Sequence, residues 1–335
     1  MMNDEQQTRT ATPGLNRDFP AVTHHAALIA VIGGTGFVGR HLCRQLAARG
    51  YRVRVPTRNR ERAKPLILLP TVDVVEADVH DPLALQAVVA GCDAVINLVG
   101  VLHDGRGRRG FAGAHVELAR TVVGACRAAG VRRLLHMSAL AAAADAPSAY
   151  LRSKGEAERI VRESGLDWSI FRPSVIFGPE DSFLNLFARL SRLMPVLVLA
   201  SPDAKFQPVY AGDVAEAFVR ALGDRSSYGR SYDLAGPRRY SLRELVAWVG
   251  RTTGRPRPII GLNPALSYCQ ALAMEWLPVK LMTRDNLRSM AVVNVSDQPF
   301  PFGIRPQALE ALAPSWLRED NPRMAYDRMR SRAGR

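Results

Sequence analysis

Residues 28–39 read LIAVIGGTGFVG, an apolar run that ends on Gly33, Gly36 and Gly39 and passes into a helix-forming stretch from Val38 to Arg49. A strand thus delivers its C-terminal end onto a glycine turn and a helix start. Residues without Cβ allow close backbone approach, and the first turn of a helix carries unpaired N–H donors, so this unit suits an anion. With the strand before it and the helix after it, the turn predicts a site for a dinucleotide pyrophosphate.

The alternation continues. Strands are predicted at Tyr51–Pro56, Val72–Ala77, Ala94–Val99, Arg133–Met137 and Trp168–Arg172, with helices at Arg60–Leu69 (interrupted by Pro65), Pro82–Ala90, Phe111–Ala129 and Tyr150–Ser164 between them. Such a chain is α/β: helices cover both faces of a parallel sheet, and right-handed crossovers make it a Rossmann-type doubly wound fold. Beyond Pro173 the pattern loosens. Helices are expected at Ser182–Leu193, Ala211–Leu222 and Leu242–Gly250, and short strands at Val196–Leu199, Phe206–Val209 and Ser231–Ala235. The expected organisation is a mobile tail over 1–25, an NAD(P)-binding domain over 26–175 and a smaller substrate or partner lobe over 176–320, interwoven with the sheet. A basic tail over 321–335 ends the chain.

The net charge of +14 calls for an anionic partner, a membrane surface or a phosphorylated ligand. The basic stretches lack interleaved aromatics, which argues against nucleic acid. Cys43, Cys92, Cys126 and Cys269 are scattered, so neither a metal site nor a disulfide framework is expected. The first 25 residues lack both an apolar secretory core and an Arg-rich, acid-free transit pattern, and nothing is long enough to span a bilayer. Residues 264–282, PALSYCQALAMEWLPVKLM, are strongly apolar and read either as a core helix of the lobe or as a helix offered to a membrane or partner.

Positions at the strand ends carry the chemistry. Arg58 follows the second strand, where a carboxylate would favour NAD and an arginine can pair with a 2′-phosphate, so NADP(H) is expected ahead of NAD(H). Arg40, Arg60 and Arg62 are possible helpers. Asp78 and Val79 follow the third strand, within reach of an adenine edge. Asn97, Leu98, Val99 and Gly100 end the fourth, where small residues admit the nicotinamide half. Ser138 follows the fifth strand, and Tyr150 and Lys154 share a helix face at i and i+4. A lysine beside a phenol lowers its pKa, so proton exchange near neutrality is expected of Tyr150, with Ser138 holding a substrate oxygen. His103, His115 and His136 are read as structural. The basic loop from Asp104 to Gly110 is read as either solvated or an anion contact, and Asp213 as a helix cap.

Together, VIGGTGFVGRHL, HMSAL, SAYLRSKGEAE, FRPSVIFGPED, FQPVYAGDVAEAF and MTRDNLRSM resemble the short-chain dehydrogenase/reductase superfamily in its extended and atypical branches. More narrowly, they resemble the group related to the NADPH-binding accessory subunit of respiratory complex I (NDUFA9-like), over roughly residues 26–300. The resemblance implies that Gly33, Thr35, Gly36, Phe37 and Gly39, with Val38 among them, wrap the pyrophosphate. It implies that Arg58 reads the 2′-phosphate and that Asp78 lies by the adenine. Lys154 would hold the nicotinamide ribose, Tyr150 and Ser138 would form the proton-transfer pair, and Pro173 to Val175 would line the nicotinamide pocket. The motifs depart from the group's pattern at Gly212-Asp213, where an aspartate pair is reduced to one, and at Asn294, which replaces an expected Asp-Asn pair only in part.

Two functions follow as expectations. One is an NADP(H)-binding accessory or assembly protein on a respiratory membrane complex or anionic membrane surface, in the bacterial cytoplasm and peripheral on the inner membrane. The other is a working NADPH-dependent reductase, dehydrogenase or isomerase acting on a small apolar carbonyl or quinone-type substrate. A redox sensor reporting the NADP(H) ratio is a third reading.

Overall fold

The structure, a computed structural model, describes residues 27–102, 104–105, 107–276 and 282–318. The expected tails over 1–25 and 321–335, His103, and Pro278 and Lys280 of the apolar segment lie outside them.

Strands β1 (Leu28–Ile32), β2 (Arg52–Thr57), β3 (Val72–Glu76), β4 (Ala94–Asn97), β5 (Arg133–Met137) and β6 (Asp167–Pro173) alternate with helices, as their apolar runs require. Short strands β7 (Ile176–Phe177), β8 (Leu197–Leu199), β9 (Lys205–Phe206) and β10 (Val209–Tyr210) come next, followed by β11 (Arg230–Leu234), β12 (Tyr240–Ser241) and β13 (Ile259–Gly261). Seven strands form one sheet in the order β11-β6-β5-β4-β1-β2-β3, and every pairing in it is parallel. This is the Rossmann-type, doubly wound α/β order. The strand order reverses between β1 and β4, which opens a crevice at their C-terminal ends. Strand β11 comes from beyond residue 175 yet joins the sheet beside β6.

The covering helices are α1 (Phe37–Ala48), α2 (Lys64–Ile67), α3 (Pro82–Val89), α4 (Leu118–Ala128) and α5 (Ala149–Arg162), then α6 (Leu184–Leu193), α7 (Ala211–Gly223), α8 (Leu242–Thr252), α9 (Pro264–Glu275) and α10 (Arg284–Met290). Along β1 the side chains alternate between two buried faces. Ile29 and Val31 pack with Leu42 of α1 and Phe218 of α7, whereas Ala30 and Ile32 pack with Leu85 of α3 and Val122 of α4. A strand buried on both faces must be apolar throughout, and this one is. A third cluster, including Phe177, Leu184, Leu197, Leu245 and Val249, forms the core of the C-terminal lobe.

Three expectations change in detail. The strand expected at Phe206–Val209 is two strands, β9 pairing antiparallel with β12 and β10 parallel with β7. Pro208 between them has no N–H to continue a ladder. The helix expected over Arg60–Leu69 is a 3₁₀ turn, Arg60–Ala63, followed by α2 with Pro65 in its first turn, where a proline is tolerated. The helix expected over Phe111–Ala129 begins as a π-helical turn, Ala112–Glu117.

Candidate functional site

The glycine turn sits at the crevice. Gly33 has φ +84°, a conformation that favours glycine, and Gly36 is the N-cap of α1 with no side-chain cap. The first N–H groups of α1, on Phe37, Val38 and Gly39, thus lack a side-chain acceptor and suit a phosphate. Gly39 answers a different need: a Cβ there would stand 2.3 Å from the carbonyl oxygen of Gly33 and 2.6 Å from Cα of Gly34. Only glycine lets α1 approach the turn this closely. The Val38 side chain is core, leaving its backbone for the crevice, and Thr35 is half-buried in the turn. The Phe37 ring packs edge-on to His41 and against Gly178, tying α1 to the C-terminal lobe.

At the ends of β2 and β3, Arg58 is exposed, and Asp78 accepts from the backbone N–H of His80 and from Arg108 Nη1 at 2.8 Å. Burial lowers the pKa of His80, with the charges of Asp78, Arg108 and Arg58 acting on it next, so these groups share one neighbourhood. The basic loop thus sends Arg108 to the β2–β3 end of the crevice, while Asp104 accepts from the Phe111 N–H next to the loop. Val79 packs at the margin of the α3–α4 core.

After β4, Leu98 is buried, Val99 is half-buried and Gly100 is exposed; a Cβ on Gly100 would stand 3.2 Å from Lys154 Nζ. Lys154 is buried and donates to the carbonyl oxygens of Val99 at 3.3 Å and Met137 at 3.1 Å, bridging the ends of β4 and β5. Burial pulls its pKa down to about 8, against the raising influence of Glu158. Glu158, 1% exposed, is held in turn by Arg172, at 2.8 and 2.6 Å, and by Arg162. The Ser138 Oγ is buried with no hydrogen-bond partner, and its N–H donates to Phe171 O. Gly155 lets the following loop lie on α5, since a Cβ there would overlap the backbone of Ala143.

Tyr150 packs against the cluster of Ala139, Ala146 and Leu151, and its ring lies 5.8 Å from Phe111 and 5.7 Å from His115. Its phenol is pushed up to about 12 by loss of hydration. This corrects the expectation of a phenol lowered by its lysine, because Lys154 spends its donors on two carbonyls and the burial of Tyr150 dominates. Pro173 is buried, its carbonyl accepting from Leu140 N, and Val175 packs on the core of the lobe.

His115 and His136 are locked neutral. His115 Nε2 accepts from Val101 N at 3.1 Å, leaving its proton on Nδ1, 2.7 Å from Ser153 Oγ, and burial first pulls its pKa down to about 2. The Asn97 amide oxygen accepts from Val99 N, so its NH₂ donates to His136 Nδ1 and the His136 proton lies on Nε2, without a partner. Burial brings His136 down to about 3.

Asp285 was not legible as a site residue. Its carboxylate accepts from Ala149 N at 2.7 Å and Tyr150 N at 3.1 Å, so a residue of α10 caps the helix carrying Tyr150 and Lys154. Only its place in MTRDNLRSM marked it. We expect Asp285→Ala to cost about 1–2 kcal/mol, as for a lost helix cap with its favourable charge. Thermal unfolding checks this; an unchanged Tm would remove the role. Asp213, expected to cap α7, instead accepts from Gln307 N at 2.7 Å and anchors the C-terminal segment.

A shallow cavity of about 860 Å³ between Gln207, Gly236, Arg239, Asp297 and Arg305 includes none of Ser138, Tyr150 and Lys154 among its lining residues. No group of three or more His, Cys, Asp or Glu among the described residues is arranged to hold a metal ion. The uncapped start of α1, the glycine packing and the unpartnered Ser138 hydroxyl together fit a nicotinamide dinucleotide along the crevice.

Comparison with known proteins agrees. The family model described as NAD(P)H-binding matches residues 33–183. The chain is 33% identical over 258 residues to the ceramide reductase of Caulobacter vibrioides, covering 76% of this chain and 80% of that one. It is 36% identical over 225 residues to the mitochondrial NADH dehydrogenase [ubiquinone] 1 alpha subcomplex subunit 9 of Arabidopsis thaliana, covering 64% and 55%. Across four such complex I subunits the chain spans between 55% and 64% of their length. A nucleoside-diphosphate-sugar epimerase from Staphylococcus aureus shares the fold at TM-score 0.67 and 18% identity, over 84% of this chain and 98% of that one. The chain belongs to the NAD(P)H-binding short-chain dehydrogenase/reductase family, together with this ceramide reductase, and is similar over part of their length to the complex I subunits.

Proposed function

We propose that this protein is an NADPH-dependent reductase of an apolar carbonyl compound. The observation that carries this reading is the buried, unpartnered Ser138 hydroxyl beside the helix of Tyr150 and Lys154. A buried hydroxyl without a partner is costly, and a substrate oxygen would satisfy it. When bound, NADPH would supply the hydride that the carbonyl carbon takes up. The Tyr150 Oη gives its proton to the carbonyl oxygen, and Ser138 Oγ hydrogen-bonds the same oxygen, yielding the alcohol. Burial pushes the phenol up to about 12, so it holds its proton at neutral pH, and the developing alkoxide is the stronger base that takes it. Lys154 would move from its two carbonyls toward the nicotinamide ribose, and the first turn of α1 would hold the pyrophosphate.

Arg58, with Arg108 close by, supports NADP(H) over NAD(H). We expect Arg58→Asp to shift the ratio of NADPH to NADH affinities by roughly 10–100-fold toward NADH, the worth of one charge-assisted hydrogen bond. Titration of bound-cofactor fluorescence measures it, and an unchanged ratio would reject the assignment.

A second reading, NADPH held as a structural ligand in an accessory protein of a respiratory membrane complex, is favoured by the outward apolar face of α9. The dissociation rate of NADPH separates the two. Release within seconds permits turnover and is followed by a screen of quinones and long-chain ketones for NADPH oxidation. Release over hours supports the accessory role and rejects the reductase.

A further inference from the structure

Helix α9 turns an apolar face outward. Of its residues only Ser267 and Ala271 are buried, whereas Leu266 is 53%, Tyr268 47% and Leu272 38% exposed, and Trp276 just beyond it is 86% exposed. At about 100° per residue these positions, with Ala265 and Cys269, cover nearly half the circumference. No Asp, Glu, Lys or Arg occurs from Pro264 to Met274. Soluble domains ordinarily bury such an arc.

The end of this helix reaches the candidate site. Glu275 accepts from the N–H of Arg284 at 2.8 Å and from its Nε at 3.0 Å. The next residue, Asp285, holds the N–H groups of Ala149 and Tyr150. Trp276 is therefore tied, through two adjacent residues of α10, to the start of the helix that carries Tyr150. Asn286 extends the link to the carbonyl of Leu102, on the loop that leaves Gly100 beside Lys154.

Charge identifies the occupant. Residues 251–295 hold six Lys or Arg and two Asp or Glu, and both acids, Glu275 and Asp285, are engaged by the chain itself. An uncharged arc ending in an exposed tryptophan, within a region of excess positive charge, matches a helix lying in the boundary layer of an anionic bilayer. No helix among the described residues is long and apolar enough to cross a membrane, so the contact is one of lying on the surface.

We infer that α9 and Trp276 dock on an anionic lipid bilayer and seat the mouth of the candidate site at its surface, so that an apolar carbonyl passes from the lipid to Tyr150. The substrate half of this statement rests on the reductase reading; the docking half does not.

The test uses the full chain with NADPH bound and vesicles of phosphatidylethanolamine with phosphatidylglycerol, against vesicles of phosphatidylcholine alone. Flotation should show binding to the first, weakened by salt, and the variant carrying Leu272→Glu and Trp276→Glu should bind at least about tenfold less. Both side chains are exposed, so Tm and NADPH affinity should stay at the wild-type values. Reduction of a long-chain ketone held in the vesicles should fall with binding, while reduction of a short soluble ketone should not. Absence of wild-type binding, equal binding by the variant, or a dimer that the variant converts to monomer in sedimentation would each overturn the docking. Vesicle binding without reduction of either ketone by the wild type would keep the docking and reject the reductase.

Discussion

Replacing Tyr150 by phenylalanine is expected to lower NADPH-dependent carbonyl reduction by about 10²–10⁴-fold while leaving NADPH affinity within about twofold, the usual range for removing a positioned proton donor. The ring's packing against Phe111 and His115 does not need the hydroxyl, so the variant should fold normally. Ser138→Ala should give a smaller loss, since it removes a hydrogen bond rather than the proton. Lys154→Met should differ from both: it deletes the link between the Val99 and Met137 carbonyls, so NADPH affinity should fall together with the rate. Steady-state kinetics with cofactor titration separates these patterns. Equal turnover by wild type and Tyr150→Phe would remove Tyr150 from the chemistry.

The second large effect is expected in stability at mildly acid pH. His115 and His136 are held near 2 and 3 in the folded chain against an ordinary value of 6.5. The sign follows from proton counts. Above about pH 6.5 neither state protonates them, and the term is absent. Below it the unfolded chain takes up two protons that the folded chain refuses, so stability falls as the pH falls, by about 1.4 kcal/mol per unit for each histidine. Between pH 6.5 and about pH 5 the loss should reach roughly 3 kcal/mol. Burial raises Asp181 and Asp213, which act with the opposite sign, but only as the pH nears the carboxylate range. Urea unfolding across this window measures the slope, to which His41 and His80, also lowered by burial, add with the same sign; His136→Asn should reduce it by about 1.4 kcal/mol per unit. A flat profile would contradict the neutral burial of both rings.

The geometry of Lys154 connects these predictions. Its ammonium lies within the electrostatic reach of His115, His136 and Glu158, all of them buried. The neutral histidines allow a buried cation to stand beside them, and Glu158, itself neutralised by Arg172 and Arg162, lies one helical turn behind it. Charge at this end of the crevice is thus organised by α5 and the strands it covers.

Local chemistry was enough to read the strand, glycine turn and helix of residues 28–48, the pairing of Tyr150 with Lys154 along one helix, and the α/β alternation that makes the sheet parallel. Each depends on neighbours a few residues apart: a Cβ that must be missing, a periodicity of 3.6, an apolar run buried on both faces. The partners of those residues were not readable, because they come from distant chain. Tyr150 and Asp285 meet across 135 positions, and Lys154 turns to carbonyls at the ends of two strands rather than to the phenol four residues before it. Burial of Tyr150 reverses the direction expected for its proton affinity, since desolvation depends on everything packed around a group. The same holds for α9, whose composition allowed either a core helix or a surface one. The chain by itself determined that this helix is apolar; only packing decided which side faces outward, with Ser267 and Ala271, one turn apart, lying against the lobe.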